Sequence, residues 1–194
     1  IRDEHGAADL VVANNVFAHI PDINGTTQAI AGLLADDGVF AFEVHYLGSI
    51  VQGLQYDMIY HEHLYYYSLL ALENHLSRHG LTIFDLKRIP IHGGSIRYYA
   101  CKSASHRARA ISERVTSLRE EELELGYNQV ATFRRFAGEI AQRKKTLMEI
   151  LTRERRAGKR IAGYGAWGRA HKSIQGSEAA TTEIQSPQYP VGRV

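Results

Sequence analysis

Asp9-Leu10-Val11-Val12-Ala13-Asn14 is followed, past Pro21-Asp22, by Leu33-Leu34-Ala35-Asp36-Asp37-Gly38-Val39-Phe40-Ala41-Phe42-Glu43. The first run is short, apolar and closed by polar residues, which is the pattern of a buried parallel strand. Pro21 and Asp22 offer a helix start, and Ile23, Ile30, Leu33 and Leu34 can share one helical face. Asp36-Asp37-Gly38 reads as the helix stop, with Gly38 in a left-handed cap. Val39 to Val44 is then the next strand. Strand, helix, stop and strand make a βαβ unit. Ligands of such sheets bind at the carboxyl ends of the strands. Asn14 and Asn15 stand at one such end, and His45 and Tyr46 at the next.

Further along, Ser68 to His79 reads as a helix stopped by Gly80, with Leu69, Leu72 and Leu76 on one side. Leu81 to Leu86 and Ser95 to Cys101 are two more strands, joined through His92-Gly93-Gly94. So short a connection cannot hold a crossover helix, so this pair is antiparallel. Two long helices are expected at about Arg107 to Leu125 and Gln129 to Arg156, the second rich in basic residues on solvated faces. Lys159 to Ala162 reads as another strand, and Ser173 to Val194 as a loop or frayed end.

Composition constrains the class. In 194 residues, hydrophobic residues make up 44% and charged residues 23%, so a packed core is available. A net charge of +2 and a pI near 8.7 are too mild to point to nucleic acid or a membrane surface. The single cysteine, Cys101, can form neither an internal disulfide nor a cysteine-rich zinc site. No apolar run nears the roughly 20 residues of a membrane helix. A cytoplasmic location is expected, with no nucleic-acid or membrane partner and an oligomeric state left open.

The segments Asp9 to Asp22 and Leu33 to Glu43 resemble the fourth-strand and fifth-strand motifs of SAM-dependent methyltransferases. Phe42 to Tyr46, Tyr60-His61-Glu62-His63-Leu64, Ile91 to Arg97 and Gly163-Tyr164-Gly165-Ala166 sharpen this. Together they resemble the sugar C-methyltransferases, which methylate carbon 3 of nucleotide-linked 4-keto-deoxysugars. The resemblance runs from about Asp9 to Ala166. It implies an α/β fold: the C-terminal half of a class I methyltransferase sheet over residues 1–106, connecting helices over 107–157, and the start of a second Rossmann-like domain over 158–194. A zinc-binding N-terminal domain and the glycine-rich SAM loop of the family have no counterpart in these residues. After Ala166, Trp167-Gly168-Arg169 departs from the family pattern. The chain is therefore expected to be an interior fragment, inactive and aggregation-prone by itself.

Carbon methylation beside a ketone needs a base for the α-proton and a partner for the enolate oxygen. Histidine suits the first role near neutral pH. The resemblance assigns His63 as the base, joined by Tyr60, Glu62 and His19. It places Asn14 and Asn15 on the methyl donor, S-adenosyl-L-methionine. His45, Tyr46, His92 and Arg97 are candidates for the sugar or its phosphates, Arg97 foremost because its fork binds bidentately. Tyr65-Tyr66-Tyr67 reads as packing, and Glu43 as a buried, paired carboxylate.

Three other readings stay open. The acceptor could be another small carbonyl compound. Gly163-x-Gly165-x-x-Gly168 matches the dinucleotide fingerprint and would suit an NAD(P)-dependent oxidoreductase. The chain could also be a non-catalytic module. A metal site is not expected: His61 and His63 can point the same way, but no His-Glu-x-x-His helix pattern supports them.

Overall fold

The computed structural model describes residues 2–105 and 109–162. In chain order its elements are α1 (Arg2–His5), β1 (Ala8–Asn14), α2 (Ile23–Leu33), β2 (Leu34–His45), α3 (Leu47–Gly53), α4 (Leu69–Ser77), β3 (Leu81–Ile89), β4 (Ser95–Lys102), α5 (Glu113–Glu124) and α6 (Val130–Arg156). Single 3-10 turns occupy Phe17–His19 and Tyr56–Met58. The strands form one sheet in the order β1-β2-β4-β3. β1 runs parallel to β2, whereas β4 runs antiparallel to both β2 and β3. The βαβ unit and the antiparallel pair expected from the sequence are both present.

Local chemistry sets the element ends. The Asp22 carboxylate accepts from Gly25 N at 2.9 Å and caps α2. Ser68 Oγ accepts from Ala71 N at 3.2 Å and caps α4. Gly80, at φ +70°, turns the chain from α4 into β3. Gly38 is a correction. It is not a left-handed helix cap but a residue inside β2, where the register with β1 jumps from Ala8↔Leu34 to Leu10↔Val39. Asp36-Asp37-Gly38 is the bulged-out part of that jump. A side chain at Gly38 would meet the Ala8 carbonyl oxygen at 2.7 Å, so the close backbone approach requires glycine.

Residues alternate across β2. Phe40, Phe42 and Val44 face a core completed by Phe17, by Ile96, Tyr98 and Ala100 of β4, and by Leu69, Leu72 and Leu76 of α4. Phe42 and Tyr98 are ladder partners with stacked rings 5.3 Å apart, and Phe17 packs against Phe42 at 5.1 Å. Each such ring buries enough apolar surface for roughly 1.5–3 kcal/mol. β1 buries Val11 and Ala13 only partly. Its other face leaves Leu10 59% and Val12 54% exposed, so the strand expected to be buried on both faces is covered on one.

Two expectations downstream are corrected. α5 begins at Glu113, not near Arg107. Ser112 is extended, its N–H donates to the Phe84 carbonyl at 2.8 Å, and its hydroxyl donates to Asp85, so this stretch follows β3 instead of coiling. Lys159 to Ala162 form no strand; among the described residues no ladder partner lies beside them. The expected Gly163–Gly168 turn and the expected C-terminal loop lie outside the described residues. No helix among the described residues is long and apolar enough to cross a membrane.

α5 is fastened by a carboxylate. Glu122 is 0% exposed and accepts from the Leu69 and Leu70 amides, at 2.7 and 2.9 Å, in the first turn of α4. The positive end of α4 favours an anion there. Burial still pushes the Glu122 carboxyl above the usual carboxylate range. Glu122→Ala should cost about 2–4 kcal/mol in urea unfolding, because one buried and one half-buried amide lose their acceptor. Glu122→Gln should recover part of that loss, since its amide group offers one acceptor oxygen instead of two.

Candidate active site

β1 and β2 run in parallel, so their carboxyl ends open on the same edge of the sheet. At that edge the chain leaves β1 through Asn15, whose φ of +53° is a left-handed conformation that asparagine tolerates. The Asn15 N–H donates to the Glu43 carbonyl at 2.9 Å, and its side-chain amide donates to the Glu43 carboxylate at 3.3 Å. Arg97, across the ladder from Glu43, places two N–H donors on the other carboxylate oxygen, at 2.9 and 3.2 Å. Glu43 is 2% exposed, so the pair accounts for a charge that burial alone would disfavour. Asn14 stays exposed beside this knot.

The turn Phe17–His19 follows, and the loop Tyr60–Leu64 closes on it. Leu64 N donates to the Ala18 carbonyl at 2.9 Å. His19 Nδ1 lies 2.7 Å from the Glu62 carbonyl oxygen. A carbonyl only accepts, so Nδ1 carries the proton and the neutral ring is left with an acceptor at Nε2. The His19 and His63 rings are 4.7 Å apart, edge to face. Tyr60 Oη lies 3.1 Å from His63 Nε2, and the two rings are 4.4 Å apart.

Thus the structure brings His19, Tyr60 and His63 into direct contact. Glu62 joins through its backbone carbonyl, while the residue itself is exposed. His45, at the end of β2, and His92, in the turn between β3 and β4, lie close enough for their charges to bear on His63. Tyr46 does not join. It is 1% exposed, under the Arg88 guanidinium at 5.4 Å, and its hydroxyl is pushed well up by burial and by Glu122. Side-chain alternation sends it to the α5 side of the sheet, opposite to His45. Arg97 lies at the right edge, but its fork is committed to Glu43.

Two groups escaped the reading of the sequence. Glu122 stands in a run of acidic residues with nothing to single it out. The hydroxyls of Tyr65, Tyr66 and Tyr67 are all hydrogen-bonded to backbone groups near the site. Only the consecutive tyrosines themselves were a signal. Among the described residues, no group of three or more His, Cys, Asp or Glu could hold a metal ion.

Burial lowers the pKa of His63, and the nearby His19 and His45 lower it further, outweighing the opposite pull of Glu62. His63 is therefore neutral at neutral pH. In an NMR titration its ring should protonate below the ordinary histidine value of about 6.5. Because the folded-state pKa is the lower one, this group's contribution to stability is present above pH 6.5 and declines as pH falls through that value.

The profile of a methyltransferase domain matches residues 1–86, and that of a C-methyltransferase C-terminal domain matches residues 90–185. C-methyltransferase NovU of Streptomyces niveus is 37% identical over 205 aligned residues, which take in 100% of this chain and 48% of that protein. The chain thus spans about half the length of this relative. A chain in the solved complex of the Haloferax volcanii Trm112 methyltransferase activator superposes with a TM-score of 0.43 at 15% identity, covering 53% of this chain and 57% of that one. Both profiles and this relative are methyltransferases, and the chain belongs to the C-methyltransferases.

Proposed function

We propose that the protein to which this chain belongs methylates the carbon next to the ketone of a nucleotide-linked 4-keto-deoxysugar, through an enolate, with S-adenosyl-L-methionine as donor. The observation that carries this reading is a half-buried His63 in contact with Tyr60 and a second histidine. A lowered pKa keeps the ring free to accept a proton, and Tyr60 on Nε2 fixes its plane.

His63 accepts the α-proton, and the electron pair of the broken C–H bond moves onto the ketone oxygen. His19 holds its own Nδ1 proton on the Glu62 carbonyl, so it donates to that oxygen from Nε2 when protonated. The exposed Asn14 side chain and the backbone turn at Asn15 suit the polar part of the donor, whereas the Asn15 amide is spent on Glu43. When bound, S-adenosyl-L-methionine supplies an electrophilic methyl on a sulfonium. The methyl would pass to the enolate carbon as its bond to sulfur breaks, leaving the donor as a neutral thioether, and the α-proton leaves His63 to solvent, so charge balances. In the same reading, residues 1–106 belong to the donor domain, 107–157 connect it and 158–194 open a second domain.

A second acceptor class has one observation in its favour. Arg97, the strongest phosphate candidate in the sequence, is occupied by Glu43. A small carbonyl compound without a diphosphate would need no such fork. The test is methyl transfer by the full-length protein to a dTDP-4-keto-deoxysugar and to simple ketones, alongside His63→Ala. Turnover should fall about 10²–10⁴-fold in the variant, with calorimetric donor binding kept. Donor binding without transfer to any ketone, or an undiminished His63→Ala, would overturn the reading.

A further inference from the structure

We infer that Tyr65-Tyr66-Tyr67 is a positioning element that holds the His19 turn and the Tyr60–His63 loop together, with Tyr66 acting on His63 through Tyr60. The inference rests on the reading of His63 as the base. The run sits between the site loop and α4, and Tyr67 forms a parallel bridge with Tyr46 at the end of β2. Tyr65 and Tyr67 stack 5.9 Å apart. Their hydroxyls donate to the Pro21 and Phe17 carbonyls, each at 3.3 Å, on either side of His19. The Tyr66 hydroxyl goes to the other loop. It accepts from Tyr60 N at 3.0 Å and shares its proton between the Met58 and Tyr60 carbonyls, at 3.2 and 3.3 Å. The Tyr66 ring lies edge-on to His63 at 5.6 Å.

Packing explains the rings but not the hydroxyls. A phenylalanine would fill nearly the same volume at each position, yet all three hydroxyls reach backbone groups of the two segments that carry His19, Tyr60 and His63. Backbone amides at 2.9 and 3.4 Å from the Ala18 carbonyl join those segments directly. The Tyr66 hydroxyl then fixes where the Tyr60 backbone starts, and so where the Tyr60 side chain meets His63 Nε2. Burial raises the Tyr66 hydroxyl above its ordinary pKa, which keeps it a neutral donor and acceptor.

The test is Tyr66→Phe in the full-length protein. Turnover should fall about 10–100-fold, the cost of a small misplacement of a reacting group, with the donor KM within about twofold. The NMR midpoint of His63 should rise toward the ordinary value as the loosened loop admits water. Adding Tyr66→Phe to Tyr60→Phe should cost little more than Tyr60→Phe alone, because both act through one contact. A folded Tyr66→Phe with unchanged turnover and an unmoved His63 midpoint overturns the inference, as do fully multiplicative effects in the double variant. Should Tyr66→Phe fail to fold, Tyr65→Phe decides: a loss of about tenfold supports the clamp and unchanged turnover refutes it. If the wild type transfers no methyl group, the functional reading falls while the His63 titration still tests the clamp.

Discussion

The ladder between β2 and β4 is the constraint on which the rest depends. It pairs Phe42 with Tyr98 and Glu43 with Arg97. The first pair stacks in the core, and the second holds a buried carboxylate on the opposite face. A slip of one residue would exchange those faces, placing aromatic rings at the site and a charge in the core. The apolar side thus fixes the register, and the register places Glu43 where Asn15 must turn. From there the chain enters the turn that carries His19.

The site itself is made from loops, but the loops are not loosely held. Their polar backbone groups find partners in side chains and in one another: Glu62 with His19, Ala18 with Leu64, and Tyr60 with Tyr66. That answers the general difficulty of partly buried irregular backbone, whose N–H and carbonyl groups need partners in place of water. The same closure desolvates His63, and that burial, more than the neighbouring histidines, lowers its pKa. One arrangement therefore supplies both order and reactivity.

On the other side of the sheet, α4 and α5 form a polar junction at Glu122, next to the core tyrosines Tyr46 and Tyr98. Burying a carboxylate is costly, and here two helix-end amides offset the cost. The exposed Leu10 and Val12 contrast with this. Apolar side chains are left in water on one face of β1, while a charged group is buried on the far side of the fold. The sheet is thus well covered by α4 and α5 and open around β1.

The sequence alone determined the strands β1 to β4, the crossover helix and the antiparallel pair, because apolar period and short glycine turns are local signals. Resemblance carried the family and the roles expected of His63, Tyr60 and His19. Only tertiary structure decided which polar groups meet. Tyr46 and His45 are adjacent in sequence, yet one enters the core and the other the site edge, because neighbours in a strand face opposite ways. Arg97 was legible as a cation but not as the partner of Glu43, 54 positions away. Gly38 was legible as a break, yet its role as a bulge depends on the approach of Ala8. Long-range hydrogen bonds leave no periodic trace in a chain, so the contacts of Glu122, Glu43 and the three tyrosines became visible only once the strands and helices had been brought together.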